Sequence, residues 1–236
     1  MAPSARNASP ITTASGAASL LAQLPMFRST PRAQLAELAR GALARQAPAG
    51  SVVARRGERV PGLMVVRHGL VKLSLKGESE RVLRLVGARD TFGEAPLFLD
   101  QPLQVDVTAV TDTALVIVPA EPLLSLFDRD PRFARRLLAC VCQRLQTMVA
   151  DFEAATVHGA GERLAAYIGS LGKDTACLPA PKAVIASRLG MTKETLSRLL
   201  RTFMDQGLIS VSKREIRVLD RARLSAVARA SASSRG

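Results

Sequence analysis

Between positions 50 and 119 the chain breaks into six short runs rich in Val and Leu: SVVARR, GLMVVRHG, LVKLSLKG, RVLRLVG, VDVTAV and ALVIVP. Gly or Asp separates them at intervals of about ten residues. Runs this short, rich in β-branched residues and closed by turn formers, predict strands. Six such strands in succession restrict this part of the chain to a compact antiparallel sheet or β-roll.

At Pro131 the period changes. Phe133, Leu137, Val141, Leu145, Met148 and Phe152 follow one another by 4, 4, 4, 3 and 4 residues, which predicts a long helix reaching about Val157. The seam is narrow and sustained, with Arg135, Arg136, Arg144 and Glu153 off it. A two-stranded coiled coil shows that pattern, so Leu137, Val141, Leu145, Met148 and Phe152 are the expected dimer interface. A helix packed on its own β-domain needs the same stripe.

Residues 1–18, rich in Ala, Ser, Thr and Pro, have no period and read as a disordered tail. The spacing of Leu20, Leu24, Phe27, Leu35, Leu38 and Leu43, with Ser29-Thr30-Pro31 as a helix start, predicts one or two short helices. After His158-Gly159 come a helix over 162–171, a turn-rich connection GKDTACLPAP, two short helices, and strands LISVSK and EIRVLD joined around Lys213 and Arg214. The expected organisation is α+β: a tail over 1–18, a β-roll domain over 19–130, the long helix and its hinge over 131–158, a C-terminal domain over 159–228 and a tail over 229–236.

Lys and Arg total 33 against 20 Asp and Glu, a formal net charge of +13, which favours a polyanionic partner. From Gly159 onward there are 14 basic and 6 acidic residues, net +8 in a third of the chain. The polyanion is therefore expected at the C-terminal domain.

That domain contains GMTKETLSRLLRTF, over 190–203. At about 100° per residue, Glu194, Ser197, Arg198 and Arg201 share one face, while Leu196, Leu199, Leu200 and Phe203 lie opposite. A helix-turn-helix needs a small residue where the helices touch, Gly at the turn and apolar residues locking the crossing. Ala186, Gly190 and the set Ile185, Leu189, Leu196 and Leu199 fill those places, and Thr192 stands where an N-cap belongs. The second helix would then enter the major groove of double-stranded DNA. Arg198 can donate two bonds to guanine, Glu194 can accept from a cytosine amine, and Ser197 is adaptable. Thr192, Lys193, Arg201, Lys213 and Arg214 are placed to touch phosphates.

Taken together, IASRLGMTKETLSRLLRTFMDQGLI and the β-domain segment DTFGEAPLFLDQP make residues from about 20 to 225 resemble the Crp/Fnr family of bacterial transcription regulators. The resemblance implies a cupin-like β-roll sensor domain, a long dimerisation helix, a C-terminal winged helix-turn-helix, a homodimer, and RNA polymerase as a protein partner. Its recognition-helix pattern E-x-x-S-R, met here by Glu194, Ser197 and Arg198, implies TTGAT-type half-sites in an inverted repeat. The cassette is similar to that of the dissimilatory nitrate respiration (nitric oxide) branch.

The input signal departs from the family's best-known members. Cyclic-nucleotide-binding members carry Arg-Ser or Arg-Thr about ten residues after the cassette Glu, whereas Gln104-Val105 stands there after Glu94. A cyclic phosphate would meet no cation, so the sequence argues against cAMP and assigns Glu94 a structural hydrogen-bonding role. No Cys precedes Cys140, which excludes an N-terminal iron–sulfur cluster. Haem remains a candidate, with His68 and His158, the two histidines, as candidate ligands. Cys140 and Cys142, two apart on the long helix, are expected to pack rather than to sense redox state.

No nucleophile–base pairing, phosphate-cradling glycine loop or metal-ligand cluster points to an enzyme. Cys140, Cys142 and Cys177 give neither a disulfide framework nor a four-thiolate zinc site, and a reducing cytoplasm is the expected compartment. No apolar run approaches the ~20 residues of a membrane span. The competing expectation is an effector-binding module that acts through a protein partner, with the basic C-terminal region as its contact surface.

Overall fold

The runs GLMVV and ALVIV are apolar at every position, unlike a half-exposed strand, and their place in the fold explains it. The structure is a computed structural model describing residues 8–10, 14–172 and 174–229, in two units that divide between Arg144 and Leu145.

The first unit contains β1 (Ala8–Pro10), α1 (Ala14–Ala22), α2 (Arg32–Arg40), β2 (Leu43–Ala47), β3 (Val52–Ala54), β4 (Gly62–His68), β5 (Leu70–Lys76), β6 (Glu80–Gly87), β7 (Thr91–Phe92), α3 (Glu94–Leu99), β8 (Asp106–Ala109), β9 (Thr113–Pro119) and α4 (Ala120–Arg129). It also holds the start of α5 (Pro131–Val157). The strands form two sheets, ordered β1-β2-β9-β4-β7 and β3-β8-β5-β6, with every neighbour antiparallel.

Strands β4 and β9 pair at the middle of the first sheet. One face of the pair, with Met64, Val66 and Leu115, joins Val71, Val86 and Val107 of the second sheet in the filling of the roll. The other face, with Leu63, Val65, Val116 and Val118, packs under helical residues including Leu21, Leu35, Leu123 and Phe133. Both faces are covered, so neither strand has a polar side. The β4–β5 connection is the single residue Gly69, at φ 89°, where an added Cβ would lie 2.4 Å from the carbonyl oxygen of Asp112. Only glycine makes that turn.

Four expectations about the fold need correction. Leu137 is not free for a dimer interface: it is 3% exposed and sits with Phe133 in the core beneath β4 and β9, Phe133 stacking on Phe27 at 5.2 Å. The exposed row of α5 is Leu138, Val141, Leu145, Met148 and Phe152, 42–71% exposed and spaced 3, 4, 3 and 4. The tail expected over 1–18 gives way at Ala14, where α1 begins because Ala17, Leu20 and Leu21 bury one face. Apart from β1, the rest of that tail lies outside the described residues, as does 230–236 of the other. Leu43 starts β2 instead of ending a helix, since its strand pairs with β9. The last correction lies in the second unit, where the connection GKDTACLPAP contains a strand.

The second unit has the end of α5, then α6 (Ala160–Ser170), β10 (Thr175–Cys177), α7 (Lys182–Arg188), α8 (Lys193–Asp205), β11 (Ile209–Ser212), β12 (Glu215–Val218) and α9 (Arg221–Arg229). Its sheet is antiparallel in the order β10-β12-β11. Leu164 and Ile168 of α6, Ile185 of α7, Leu196, Leu200 and Phe203 of α8, Ile216 of β12 and Leu224 of α9 are all buried.

Candidate functional site

Helix α7 closes in a Schellman motif: Gly190 at φ 65° follows the last turn, its N–H donating to Ser187 O at 3.2 Å and that of Met191 to Ala186 O at 3.0 Å. Two residues on, Thr192 caps α8, its hydroxyl accepting from the Thr195 N–H at 3.1 Å. Glycine and cap together set the angle at which α8 departs. Its far end closes the same way, Gly207 at φ 69° placing Leu208 N–H on Phe203 O at 2.9 Å. The helix is thus fixed at both ends and along its apolar face by Leu196, Leu200 and Phe203, 1–4% exposed.

On the opposite face Glu194, Ser197, Arg198 and Arg201 are exposed. Among the described residues, no side-chain hydrogen bond or ion pair engages Glu194, Ser197, Arg198 or Arg201. Thr192 and Lys193 are exposed at the start of the helix. The tip between β11 and β12 exposes Lys213, at φ 53°, and Arg214. One arm of Arg214 is already engaged, donating to Leu178 O at 2.8 Å and fastening the strand pair to the chain after β10.

Arg163, on α6, was not singled out by the sequence. Its Nε donates to Leu189 O at 2.8 Å, one Nη to Gly190 O at 3.4 Å and the other to His158 O. It lies on the side of α6 away from Leu164, Ala165 and Ile168, so the helical period gave no signal for it. Nearby, Arg188 of α7 pairs with Asp151 of α5 at 3.3 Å.

In the first unit, Glu94 is 8% exposed and accepts from the Thr91 hydroxyl and from Arg144 of α5. Arg144 also reaches Asp90 at 3.2 Å, and Asp90 holds Arg84 at 2.6 Å. Burial pulls the Arg144 guanidinium down, but Glu94 and Asp90 outweigh it and hold it above its ordinary value. Glu94 is thus committed to internal bonds. Gln104 is exposed and donates to Pro102 O at 3.0 Å, while Val105 packs against the filling of the roll. Neither residue offers a cation to a phosphate.

The histidines lie in separate units. His68 is exposed at the end of β4, and His158 follows α5 with its Nδ1 3.2 Å from Glu162. Cys140 is half-buried against the helical core, where burial pushes its thiol up, whereas Cys142 is exposed rather than packed, because two positions along a helix turn the side chain to another side. Among the described residues no cluster of three or more His, Cys, Asp or Glu could hold a metal ion. Nor is any described helix long and apolar enough to cross a membrane.

Residues 44–130 match the cyclic nucleotide-binding domain, and residues 162–227 the Crp-like helix-turn-helix domain. A CRP-like cAMP-activated global transcriptional regulator of Mycobacterium tuberculosis is 25% identical over 223 residues, covering 89% of this chain and 99% of that protein. The cyclic AMP receptor protein of Thermus thermophilus is 28% identical over 185 residues, covering 77% and 86%. The solved structure of FixK2 from Bradyrhizobium japonicum superposes with a TM-score of 0.72 at 22% identity, covering 79% of this chain and 96% of that one, a likeness of fold.

Proposed function

The chain belongs to the Crp/Fnr family of transcription regulators, and on that premise we propose that it acts as a homodimer whose paired α8 helices read TTGAT-like inverted-repeat half-sites in DNA. The observation carrying this reading is the exposed set Glu194, Ser197 and Arg198, held on a capped helix whose other face is buried. Base edges are read by Arg198 to guanine and Glu194 to cytosine, with Ser197 between them. Thr192, Lys193, Arg201 and Lys213 touch phosphates and set register, as does the remaining arm of Arg214. The exposed row of α5, from Val141 through Leu145 and Met148 to Phe152, meets its copy in the partner.

On this reading the effector is other than a cyclic nucleotide or an N-terminal iron–sulfur cluster. Support comes from Gln104 and Val105 at the position where a cyclic phosphate needs a guanidinium, and from Glu94, whose carboxylate is bonded to Thr91 and Arg144. Micromolar to millimolar cAMP is expected to leave DNA affinity unchanged. Haem is decided by the absorption spectrum of protein from haem-replete cells, where a Soret band would identify it.

A fluorescent duplex carrying TTGAT-N4-ATCAA is expected to bind more tightly than a scrambled duplex at moderate salt, and equal binding would overturn the assignment of Glu194, Ser197 and Arg198.

A further inference from the structure

The carbonyls of a helix's last turn have no partner within the helix. Two such ends lie close together in the second unit: that of α5, with His158 O, and that of α7, with Leu189 O and Gly190 O. One guanidinium bonds all three, Nε to Leu189 at 2.8 Å, one Nη to Gly190 at 3.4 Å and the other to His158. A planar fork is suited to this, since its donors diverge in fixed directions and can join two segments at a set separation. The helix carrying it also meets the residue that follows α5: Glu162, which caps its own helix by accepting from the Gly159 N–H at 2.9 Å, lies 3.2 Å from His158 Nδ1. A second link, Arg188 to Asp151 at 3.3 Å, joins α7 to α5 about two turns before His158.

We propose that Arg163 is the positioning residue of the recognition helix: it ties the α7–α8 turn to the end of α5, so that a movement of that end is passed to α8. The proposal rests on the reading that α8 contacts DNA. A guanidinium that only capped α7 would bond Leu189 and Gly190 and leave α5 out. The bond to His158 is what makes the arrangement a linkage.

The test uses the full chain as wild type, Arg163→Gln, Arg163→Lys and, as a control for base reading, Arg198→Ala. Amide hydrogen exchange without DNA is followed over 154–158 and 189–192. In both Arg163 variants the two segments are expected to exchange faster together, by about tenfold or more, the order set by losing a charge-assisted hydrogen-bond pair, while α9 keeps its protection. Lysine has length and charge but no fork, so it does not rescue; if Arg163→Gln fails to fold, Arg163→Lys carries the test. Discrimination between the TTGAT-N4-ATCAA duplex and the scrambled one is expected to drop by a similar factor, with scrambled binding unchanged because the phosphate-contacting residues are intact. Unchanged exchange at either segment overturns the linkage, whatever DNA does. Loosening of both segments with discrimination retained overturns the positioning role. Equal binding of both duplexes by wild type, with Arg198→Ala indistinguishable from it, defeats the DNA reading itself and the positioning role with it.

Discussion

Arg198 and Leu196 are two residues apart and face opposite ways, which makes their expected losses different in kind. Replacing Arg198 with Ala is expected to weaken specific binding by about 1–3 kcal/mol at one base position and to leave thermal stability unchanged, measured by titration against duplexes varied at each position. The exposed place of Arg198 on α8 was legible because helical period and residue type both declare it. The bonds of Arg163 were not, because its partners are backbone carbonyls 5, 26 and 27 residues away, and carbonyls leave no mark on a sequence. Acid stability offers a separate residue-level prediction at Glu80. Burial pushes that carboxyl up, but hydrogen bonds from Lys72 and Ser74 and the charge of Lys72 outweigh it and hold Glu80 below its ordinary value. A depressed folded value means its stabilisation is full above the unfolded value, about pH 4.3, and fades as pH falls through the folded one. Urea unfolding across that acid range is expected to show a shallower loss of stability for Glu80→Gln than for wild type.

The long helix α5 carries one apolar period that is buried at its start and exposed farther on, and the period does not announce where one gives way to the other. Phe133 and Leu137 are claimed by their own core, whereas Leu138, Val141, Leu145, Met148 and Phe152 are exposed. A spacing of about one apolar residue per turn predicts that something apolar lies alongside, not whose it is. Two substitutions separate these roles. Leu137→Ala is expected to cost about 2–5 kcal/mol of stability and preserve the dimer; Leu145→Asp is expected to yield a folded monomer in sedimentation velocity. The long runs of β4 and β9 and the amphipathic α8 were legible as elements, since each has a strong period or a continuous apolar run. The three residues of β10 were hidden among turn formers, and their strand exists because β12 offers an edge to pair with.

At the scale of the whole molecule, a twofold dimer places its two reading helices about one turn of DNA apart. Inserting five base pairs between half-sites turns one of them to the far side of the duplex, so gel-shift affinity is expected to fall to that of a single half-site. The net charge of +8 from Gly159 onward also predicts that log affinity declines linearly with log salt for any duplex. The division of the chain into a β-roll and a basic helical domain was legible from texture and charge, whereas the bonds of Glu94 with Thr91 and Arg144 were not, because Arg144 is 50 residues farther along the chain. Lys213, at φ 53°, has a consequence for how such a molecule changes over generations. A left-handed backbone is costly for a side chain with a Cβ, by roughly 1 kcal/mol, so drift favouring durability alone would install glycine there. On the proposed phosphate contact, installing glycine at that tip in the laboratory should raise the melting temperature and lower the grip on any double helix.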